Sequence, residues 1–523
     1  MYPGRLVSEH PDRPAIIMAG TRETLTYRQL DERANRLAHH FRAIGLRRTD
    51  PIAIFIENHL ELIVTMAAAE RTGLYYTPVN SFLAAEEAAY IVRDCGAKVV
   101  ISSTAKAEVA RRLPGLCPDV EHWLMVDGAE PPFLDFATVL AGYPVTPVER
   151  ERLGTPMFYS SGTTGRPKAV KRQLPDVAPD TQLGIEEMGK RLFHMREGMV
   201  FLSPAPLYHS GPQSTISIGL RLGATHIVME RFDAEAFLAL LAEFRVTHTM
   251  VVPTMFSRLL KLPAEVRGRY DHSTLEVAVH GAAPCPRQVK QDMFDWWGPV
   301  IYEYYGGTEA NGTCGCTPEE WLAHPGTVGR AFFGEIVILD ESGDPQPPGT
   351  PGDIWFRGGN SSFEYLNDPG KTAEARDPGG TMSTIGDIGY LDEDGYLFLT
   401  DRQAFVIISG GVNIYPQEIE NLLVTHPEVM DAAVFGVPDE DFGEAVQAVI
   451  QPFDPDGASP ELAERLRAFC QEHLARFKCP RSFDFIEEMP RLPTGKLYKR
   501  TLRDRYWPQE SHRTPSPPRR SPA

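Results

Sequence analysis

The sequence predicts an α/β protein with a large N-terminal domain and a small α+β C-terminal domain. Up to about residue 400, apolar strand-like runs alternate with amphipathic helical segments, which is typical of largely parallel sheets. Between residues 334 and 400, short strands separated by Gly, Pro and Asp turns indicate a small β-rich subdomain. The length of 523 residues favours several domains, because single hydrophobic cores rarely grow beyond roughly 250–300 residues.

The elements of the N-terminal domain follow from hydrophobic periodicity. Strands are predicted at 51–56, 98–102, 248–252, 335–339, 353–357 and 395–399, and helices at 61–71 and 235–244. The C-terminal domain is predicted over 406–506. It begins with a strand at 406–409, and Pro416 then opens a helix at the position where proline is tolerated. Ser459 is predicted to cap a second helix, and residues 507–523 are predicted to form a disordered tail.

Composition excludes several classes of protein. The net charge of -18 opposes binding to nucleic acid and to anionic lipid, so any phosphate ligand must be held by local groups. No apolar run reaches the roughly 18 residues of a membrane span, and the first residues lack the apolar core of a signal peptide, so we expect a cytoplasmic protein. The seven scattered cysteines predict reduced thiols, and the lone pair Cys314 and Cys316 lacks further zinc ligands at suitable spacing.

The segment from Ser160 to Lys168 is the strongest functional signal. Its two glycines leave backbone amides uncovered, its Ser and Thr residues add hydroxyl donors, and Lys168 adds a positive charge. Such a loop can hold a polyphosphate through many short hydrogen bonds. A Walker A loop is disfavoured, because Gly165 is followed by Arg166, Pro167 and Lys168 rather than by Lys and then Ser or Thr. The structural alternative is a surface turn.

A second run, residues 302–309, combines aromatic side chains, two glycines, a hydroxyl and a carboxylate. Tyr305 could stack on a base, and Glu309 could hold Mg²⁺, which prefers carboxylate and phosphate oxygens. The end of a strand is the structural alternative. Further along, Asp387 follows Gly386 and would by itself indicate a turn, while Lys496 lies on a glycine-containing loop that could bring a cation to an anionic site.

These segments occur in the order found in the adenylate-forming (ANL) superfamily, which the chain resembles from about residue 10 to 505. This superfamily contains acyl-CoA and aryl-CoA ligases, peptide-synthetase adenylation domains and beetle luciferases. The resemblance implies an AMP-binding and substrate domain at 1–400, a hinge at 401–405 and a mobile C-terminal domain. It also implies ATP, Mg²⁺ and coenzyme A as substrates and cofactor, and a small carboxylic acid as the group that is activated.

The resemblance also implies roles for matching residues. The implied nucleotide contacts are Ser160, Ser161, Gly162, Thr163, Thr164, Gly165, Lys168, Gly281, Ala282, Ala283, Tyr305, Gly306, Asp387 and Arg402. Tyr305 would stack on adenine, Asp387 would bind the ribose hydroxyls, Thr308 would meet phosphate, and Glu309 would serve the metal. Lys496 would bridge the substrate carboxylate and the α-phosphate, because a cation offsets their repulsion.

The acid and the thiol acceptor are assigned by the same resemblance. His209 would lie beside the carboxylate as a catalytic residue, together with Thr308, Glu309 and Lys496. The acyl pocket is expected near Tyr208, His209, Ser214, Val252, His280 and Gly306. The segment with Ser409, Gly410 and Gly411 would meet CoA. Arg476, Lys478 and Arg481 are either partners of the CoA phosphates or an ordinary basic surface.

Two positions depart from the superfamily pattern. Phe405 stands at the hinge, where Asp or Lys is common, and Ala169 follows the phosphate loop where glycine is usual. The sequence therefore predicts an acyl-CoA ligase and leaves other hypotheses open. One is a ligase-fold enzyme that mainly transfers preformed acyl-adenylate to CoA, and another is a non-catalytic nucleotide-binding protein. Loading of a carrier protein, the identity of the acid and assembly into a homo-oligomer also stay open.

Overall fold

The structure is a computed structural model that describes residues 1–160, 167–359, 362–402, 405–410, 412–491 and 497–507. Seven residues of the predicted site lie outside these ranges, namely Ser161, Gly162, Thr163, Thr164, Gly165, Gly411 and Lys496. The backbone of Arg402 is described, and its side chain is not. The predicted tail lies outside the described ranges from residue 508 onward.

Helices and strands alternate along most of the chain. The helices are α1 (Leu6–Glu9), α2 (Tyr27–Ala43), α3 (Leu60–Thr72), α4 (Ala85–Asp94), α5 (Ala107–Ala110), α6 (Leu113–Leu116), α7 (Phe136–Ala141), α8 (Gly184–Leu192), α9 (Ser210–Leu222), α10 (Ala234–Glu243), α11 (Pro253–Leu260), α12 (Ala264–Arg267), α13 (Arg287–Trp297), α14 (Pro318–Ala323), α15 (Pro369–Glu374), α16 (Pro416–Leu423), α17 (Pro460–His473) and α18 (Lys499–Arg503).

The strands are β1 (Pro14–Met18), β2 (Thr24–Thr26), β3 (Pro51–Phe55), β4 (Tyr75–Pro78), β5 (Val99–Ser103), β6 (His122–Val126), β7 (Leu134–Asp135), β8 (Thr155–Pro156), β9 (Phe158–Ser160), β10 (Lys168–Lys171), β11 (Val200–Ser203), β12 (Thr225–Val228), β13 (His248–Val251), β14 (Val277–His280), β15 (Ile301–Gly306), β16 (Thr313–Cys316), β17 (Arg330–Phe333), β18 (Glu335–Leu339), β19 (Gly352–Arg357), β20 (Glu364–Tyr365), β21 (Met382–Ser383), β22 (Asp387–Leu391), β23 (Leu397–Arg402), β24 (Ile407–Ser409), β25 (Val412–Ile414), β26 (Val429–Asp439), β27 (Gly443–Pro452) and β28 (Ser482–Phe485).

The chain divides into two compact units. The first contains residues 1–251, 262–279 and 362–373, and the second contains the remaining described residues. The units are assembled from separate stretches of chain, so this division follows packing rather than chain order. The domain boundaries expected near residues 400 and 406 stay a prediction.

The first unit has the parallel α/β construction that the sequence predicts. One sheet has the strand order β7-β6-β5-β3-β4-β8 with every pair parallel. In a second sheet β13, β11, β12 and β1 are neighbours in parallel register, and β2 pairs with β1 antiparallel. A small antiparallel sheet has the order β20-β10-β9. The carboxyl ends of parallel strands are the usual place for ligands in such folds.

Helix α3 shows how local sequence sets these boundaries. His59 precedes it and accepts a hydrogen bond from the backbone N–H of Glu61 at 3.1 Å, which satisfies a donor left open at the helix start. Gly73 ends it with φ +73°, a left-handed conformation that favours glycine. The helix therefore runs from Leu60 to Thr72, one residue longer at each end than predicted.

The second unit is mainly antiparallel. Strands β15, β16 and β17 pair in sequence, and β18-β19-β22-β23 form a sheet in which β21 also pairs with β19. The predicted β-rich subdomain is therefore present, but helix α15 lies within its range and was not predicted. That helix begins at Pro369. The side chain of Asp368, the residue before it, accepts a hydrogen bond from the backbone N–H of Lys371 at 2.9 Å. Strand β20 falls within the same range of sequence but belongs to the first unit, where it pairs with β10.

The C-terminal part of the second unit has the predicted α+β construction. Its sheet has the order β25-β24-β27-β26, and β28 adds to β27 in parallel. Helix α16 begins at Pro416 as predicted. Ser459 caps α17 by accepting the backbone N–H of Leu462 at 3.2 Å, also as predicted. Apolar side chains of both helices pack on one core with β26 and β27.

All seven cysteines carry free thiols. Burial raises the pKa of Cys95, Cys316 and Cys470 to about 12, which keeps these thiols protonated and unreactive at neutral pH. Within the described ranges, every helix is too short or too polar to cross a bilayer.

Three buried histidines of the first unit make stability depend on pH. Burial lowers the pKa of His226 to about 3 and that of His40 and His248 to about 4. Unfolded histidine takes up a proton near pH 6.5, while these side chains stay neutral in the folded protein. The unfolded state therefore binds more protons below pH 6.5, and the free energy of unfolding falls as pH falls from about 6.5 toward 4, by about 1.4 kcal/mol per pH unit for each group.

We expect His226→Met to make this dependence shallower by about 1.4 kcal/mol per pH unit between pH 6 and 4. Urea denaturation at each pH measures it. If the free energy of unfolding depended on pH equally in His226→Met and in the wild type, buried His226 would not be a source of the pH dependence.

Candidate active site

The residues predicted for adenine and ribose meet in the second unit. Tyr305, at the end of β15, donates its hydroxyl to Oδ2 of Asp387 at 2.8 Å, and both side chains are buried. Asp387 opens β22 and lies opposite Arg402 in the register of β22 and β23. Phe356 lies roughly parallel to the Tyr305 ring at 6.3 Å between centroids. An aromatic plane and a carboxylate are therefore fixed next to each other, as binding of a nucleoside requires.

The segment predicted along the adenine edge follows β14. A Cβ on Gly281 would lie 2.6 Å from the ring of Tyr304, so only glycine lets the backbone approach that ring. Ala282 has φ +69°, which turns the chain sharply after the strand. Ala283 comes directly after this turn. The glycine of the motif thus has a structural cause in the neighbouring tyrosine.

Glu309 lies in a tight turn after β15. Its side chain is 6% exposed, and a Cβ on Gly307 would stand 2.6 Å from its Oε2. The backbone N–H of Ala310 bonds the carbonyl of Gly307 at 3.0 Å, which closes the turn around Thr308. Mg²⁺ is usually coordinated by one or two carboxylate oxygens together with phosphate oxygens, and the Glu309 carboxylate is a ligand of this type. The residues present therefore fit a magnesium nucleotide.

Two residues at the ends of the predicted phosphate loop are described in the first unit. Ser160 ends β9 and Lys168 begins β10, and the two are register partners in this antiparallel pair. Nζ of Lys168 lies 2.6 Å from Oδ2 of Asp368, the residue that precedes α15. The hydrogen bond from Lys168 lowers the pKa of Asp368. The lysine predicted to meet phosphate is thus held by a carboxylate, which was not predicted because the two residues are distant in sequence.

The residues predicted beside the acid lie at the start of α9 in the first unit. His209 is the N-cap residue of α9, and its ring lies 4.4 Å from that of the buried Tyr208. Burial raises the pKa of Tyr208. Ser214 is half-buried in the second turn of the same helix.

Three other residues predicted for the acyl pocket belong to the second unit. Val252 is buried directly before α11, and Gly306 ends β15. His280 is fully buried at the end of β14, where its ring meets the edge of Phe256 at 5.5 Å. Burial lowers the pKa of His280 well below its ordinary value, so its imidazole stays neutral.

A buried ion pair beside His280 was missed from the sequence. Nζ of Lys290, on α13, donates to Oε2 of Glu303, on β15, at 2.6 Å. The same oxygen lies 3.4 Å from Nε2 of His280. Burial raises the pKa of Glu303, and the Lys290 charge opposes that rise. The available signal was a carboxylate within a run of aromatic strand residues, where a charged side chain needs a partner.

Phe405, the residue predicted for the hinge, has a defined environment. Nζ of Lys499 lies 5.3 Å from the centre of the Phe405 ring and 2.8 Å from Oε1 of Glu420. Lys499 and Glu420 are both buried, and Oε1 of Glu420 also accepts the backbone N–H of Val434 at 2.6 Å. Phe405 thus covers a buried ion pair between α18 and α16.

The segment predicted to meet CoA begins at the end of β24. Ser409 is a register partner of Gly443, and Gly410 has φ +57° with its bare Cα against the Phe442 ring. Of the basic residues considered for the CoA phosphates, Lys478 pairs with Glu418 at 2.7 Å and Arg481 with Asp439 at 2.9 Å. These two side chains are therefore already engaged with carboxylates.

Comparison with known protein families assigns most of the chain to one family. Residues 5–366 match the family described as AMP-binding enzyme, and residues 418–496 match the family described as AMP-binding enzyme C-terminal domain. The chain belongs to the AMP-binding enzyme family, within the adenylate-forming superfamily that includes the acyl-CoA ligases.

Relatives within this family differ in the acceptor that their names give. A fatty acid–[acyl-carrier-protein] ligase, ScoC, from Streptomyces coeruleorubidus is 32% identical over 95% of this chain and 94% of its own. A 2-succinylbenzoate–CoA ligase from Bacillus licheniformis is 30% identical over 94% of this chain and 97% of its own. Among solved structures, the amide bond synthetase McbA from Marinactinospora thermotolerans is similar. Its TM-score is 0.81, and it is 26% identical over 97% of this chain and 99% of its own. The shared property is therefore a ligase of the adenylate-forming class.

Proposed function

We propose that the protein is an acyl-CoA ligase that forms AMP. In the first step a carboxylate oxygen of the acid attacks the α-phosphorus of ATP, a P–O bond forms, and pyrophosphate leaves. In the second step the thiol of CoA, having lost its proton, attacks the acyl carbon, and AMP leaves as the thioester forms. The observation that carries the proposal is the Tyr305–Asp387 contact beside the turn of Glu309.

Each group has a task in the first step. Tyr305 and Asp387 would hold the adenosine, and Glu309 would hold the Mg²⁺ of the nucleotide, which neutralises phosphate charge when bound. His209 would face the acid at the start of α9. Thr308 would contact phosphate, and Lys496 would offset the charge that grows as two anions meet. Catalysis of this kind depends on positioning and electrostatic stabilisation.

A panel of carboxylic acids tests the proposal. Acid-dependent pyrophosphate release measures the first step, and thioester formation from supplied acyl-adenylate and CoA measures the second. Both activities with at least one acid support the ligase. A holo carrier protein and an amine in place of CoA would identify the other acceptors that relatives use. Binding of ATP with neither activity over the whole panel would favour a non-catalytic nucleotide-binding protein instead.

A second candidate function is an enzyme that works mainly on preformed acyl-adenylate. The contact of Phe405 with the buried Lys499–Glu420 pair favours it, because a packed hinge residue stabilises one orientation of the following segment. ATP–pyrophosphate exchange that is slow beside thioester formation would support this candidate, and exchange at comparable rates would remove it. A cytoplasmic location and assembly into a homo-oligomer remain predictions.

A further inference from the structure

Asn58 connects three strand ends of the first unit through one side chain. It follows β3 and is 6% exposed. Its Nδ2 donates to the carbonyl of Ala205 at 3.2 Å and to that of Met229 at 2.8 Å. Its Oδ1 accepts the backbone N–H of Leu207 at 2.9 Å. The side-chain NH₂ and side-chain oxygen of Asn58 are thus all hydrogen-bonded to backbone groups of residues that follow β11 and β12.

The segment held by Asn58 is the connection from β11 to α9, residues 204–209. It contains two prolines, which lack an N–H and cannot stabilise the segment by donating backbone hydrogen bonds. The amide of Leu207 is bound by Asn58, and the next two residues are Tyr208 and His209. The segment has an internal bond from the backbone N–H of His209 to the carbonyl of Pro206 at 3.3 Å, but the bonds at Ala205 and Leu207 come from Asn58. The positions of the two rings therefore depend in part on Asn58.

Tyr208 gives independent reason to expect a ligand here. Its hydroxyl is buried and has no hydrogen-bond partner within the part of the chain that the structure describes. Burying a hydroxyl without a partner costs roughly 1–3 kcal/mol in proteins. A carboxylate of the acid would supply the missing acceptor.

We propose that Asn58 is a positioning residue for binding of the acid, because it fixes Tyr208 and His209 where the substrate carboxylate is received. The proposal rests on the proposed function. Asn58 does not itself touch the acid. It acts by holding the backbone of Ala205 and Leu207, so its loss affects the acid more than the nucleotide.

The variants Asn58→Ala and Asn58→Asp test this role. We expect Asn58→Ala to raise the KM for the acid at least ten-fold and to leave the KM for ATP within two-fold. Asn58→Asp keeps the size and the acceptor but sets a carboxylate against the carbonyls of Ala205 and Met229, so its effect should be at least as large. A wild-type KM for the acid in Asn58→Asp would show that the donated hydrogen bonds of Asn58 do not matter for the acid, and the proposal would be overturned.

Asn35 provides a matched control. It is a fully buried asparagine on α2 that donates to Asp31 at 2.9 Å and to the carbonyl of Val145 at 2.7 Å. We expect Asn35→Ala to lower the unfolding temperature without changing either KM. Equal rises in the KM for acid and for ATP in Asn58→Ala would indicate general loosening and would count against the proposal.

Hydrogen exchange separates failure of this proposal from failure of the proposed function. Amide exchange of the 204–209 segment should become at least ten-fold faster in Asn58→Ala and should not change in Asn35→Ala. If the wild type released no pyrophosphate with any acid, adenylation would be excluded, and the KM for supplied acyl-adenylate in the thioester step would then decide the role of Asn58. Unchanged exchange and unchanged KM in Asn58→Ala would overturn the proposal in either case.

Discussion

Replacement of Lys496 by alanine should lower acid-dependent pyrophosphate release by about 10²–10³-fold, the loss typical when one stabilising donor is removed from a charged transition state. Thioester formation from supplied acyl-adenylate should change far less, because in that step the two anions have already been joined. The two half-reactions are measured separately, by pyrophosphate release and by thioester formation.

The described residues on both sides of Lys496 explain why its loss should be specific. Arg491 makes a close paired contact with the carboxylate of Asp431, and its backbone bridges to that of Leu497. Lys499 forms the buried pair with Glu420. Each of these contacts joins two other residues, so Lys496→Ala should leave them in place.

A suitable control for Lys496→Ala is Lys478→Ala. Lys478 belongs to the same part of the chain and pairs with Glu418 in a half-exposed contact, which is worth little to stability. We expect acid-dependent pyrophosphate release, which needs no CoA, to stay within two-fold of the wild type in Lys478→Ala. Equal loss of both half-reactions in Lys496→Ala would contradict the role given to Lys496.

Local signals predicted much of the fold. Proline at a helix start and serine at a cap act through neighbouring backbone groups, so α16 and α17 begin where the sequence predicted. Strand β23 was placed too early, at 395–399 instead of Leu397–Arg402. Gly395 has φ +80° and donates to the carbonyl of Asp392, so the chain is still turning there. Glycine can begin a strand or form a turn, and sequence alone did not separate the two.

Contacts distant in sequence were harder to predict. Tyr305 and Asp387 were assigned to one nucleotide through the superfamily motifs, but their direct hydrogen bond depends on how β15 and β22 pack. The partner of Lys168 is 200 residues away. Asn58 was missed because an asparagine after a strand usually indicates only a turn. In each case the partner is chosen by tertiary packing, which a single sequence does not display.

The Lys290–Glu303 pair shows how strongly such packing can matter. We expect Lys290→Met to lower the free energy of unfolding by about 3–5 kcal/mol, because it leaves the carboxylate of Glu303 buried without its cation. Both side chains are almost wholly buried, so solvent cannot replace the lost charge. Urea denaturation followed by tryptophan fluorescence measures the change. The double variant Lys290→Met with Glu303→Gln should recover most of the loss, because no buried charge then remains.

The pH dependence of the Lys290→Met variant distinguishes an unpaired charge from a simple packing defect. Burial raises the pKa of Glu303, and without Lys290 nothing in this pair opposes that rise, so folded Glu303 should hold a proton at pH values where unfolded glutamate is ionised. The folded state then binds more protons, and the free energy of unfolding of Lys290→Met falls as pH rises above about 4.5, by up to about 1.4 kcal/mol per unit. The defect should therefore be mildest near pH 5 and largest above neutrality. A defect of the same size at every pH would show that Lys290 matters through the space that its side chain fills and not through its pairing with the Glu303 charge.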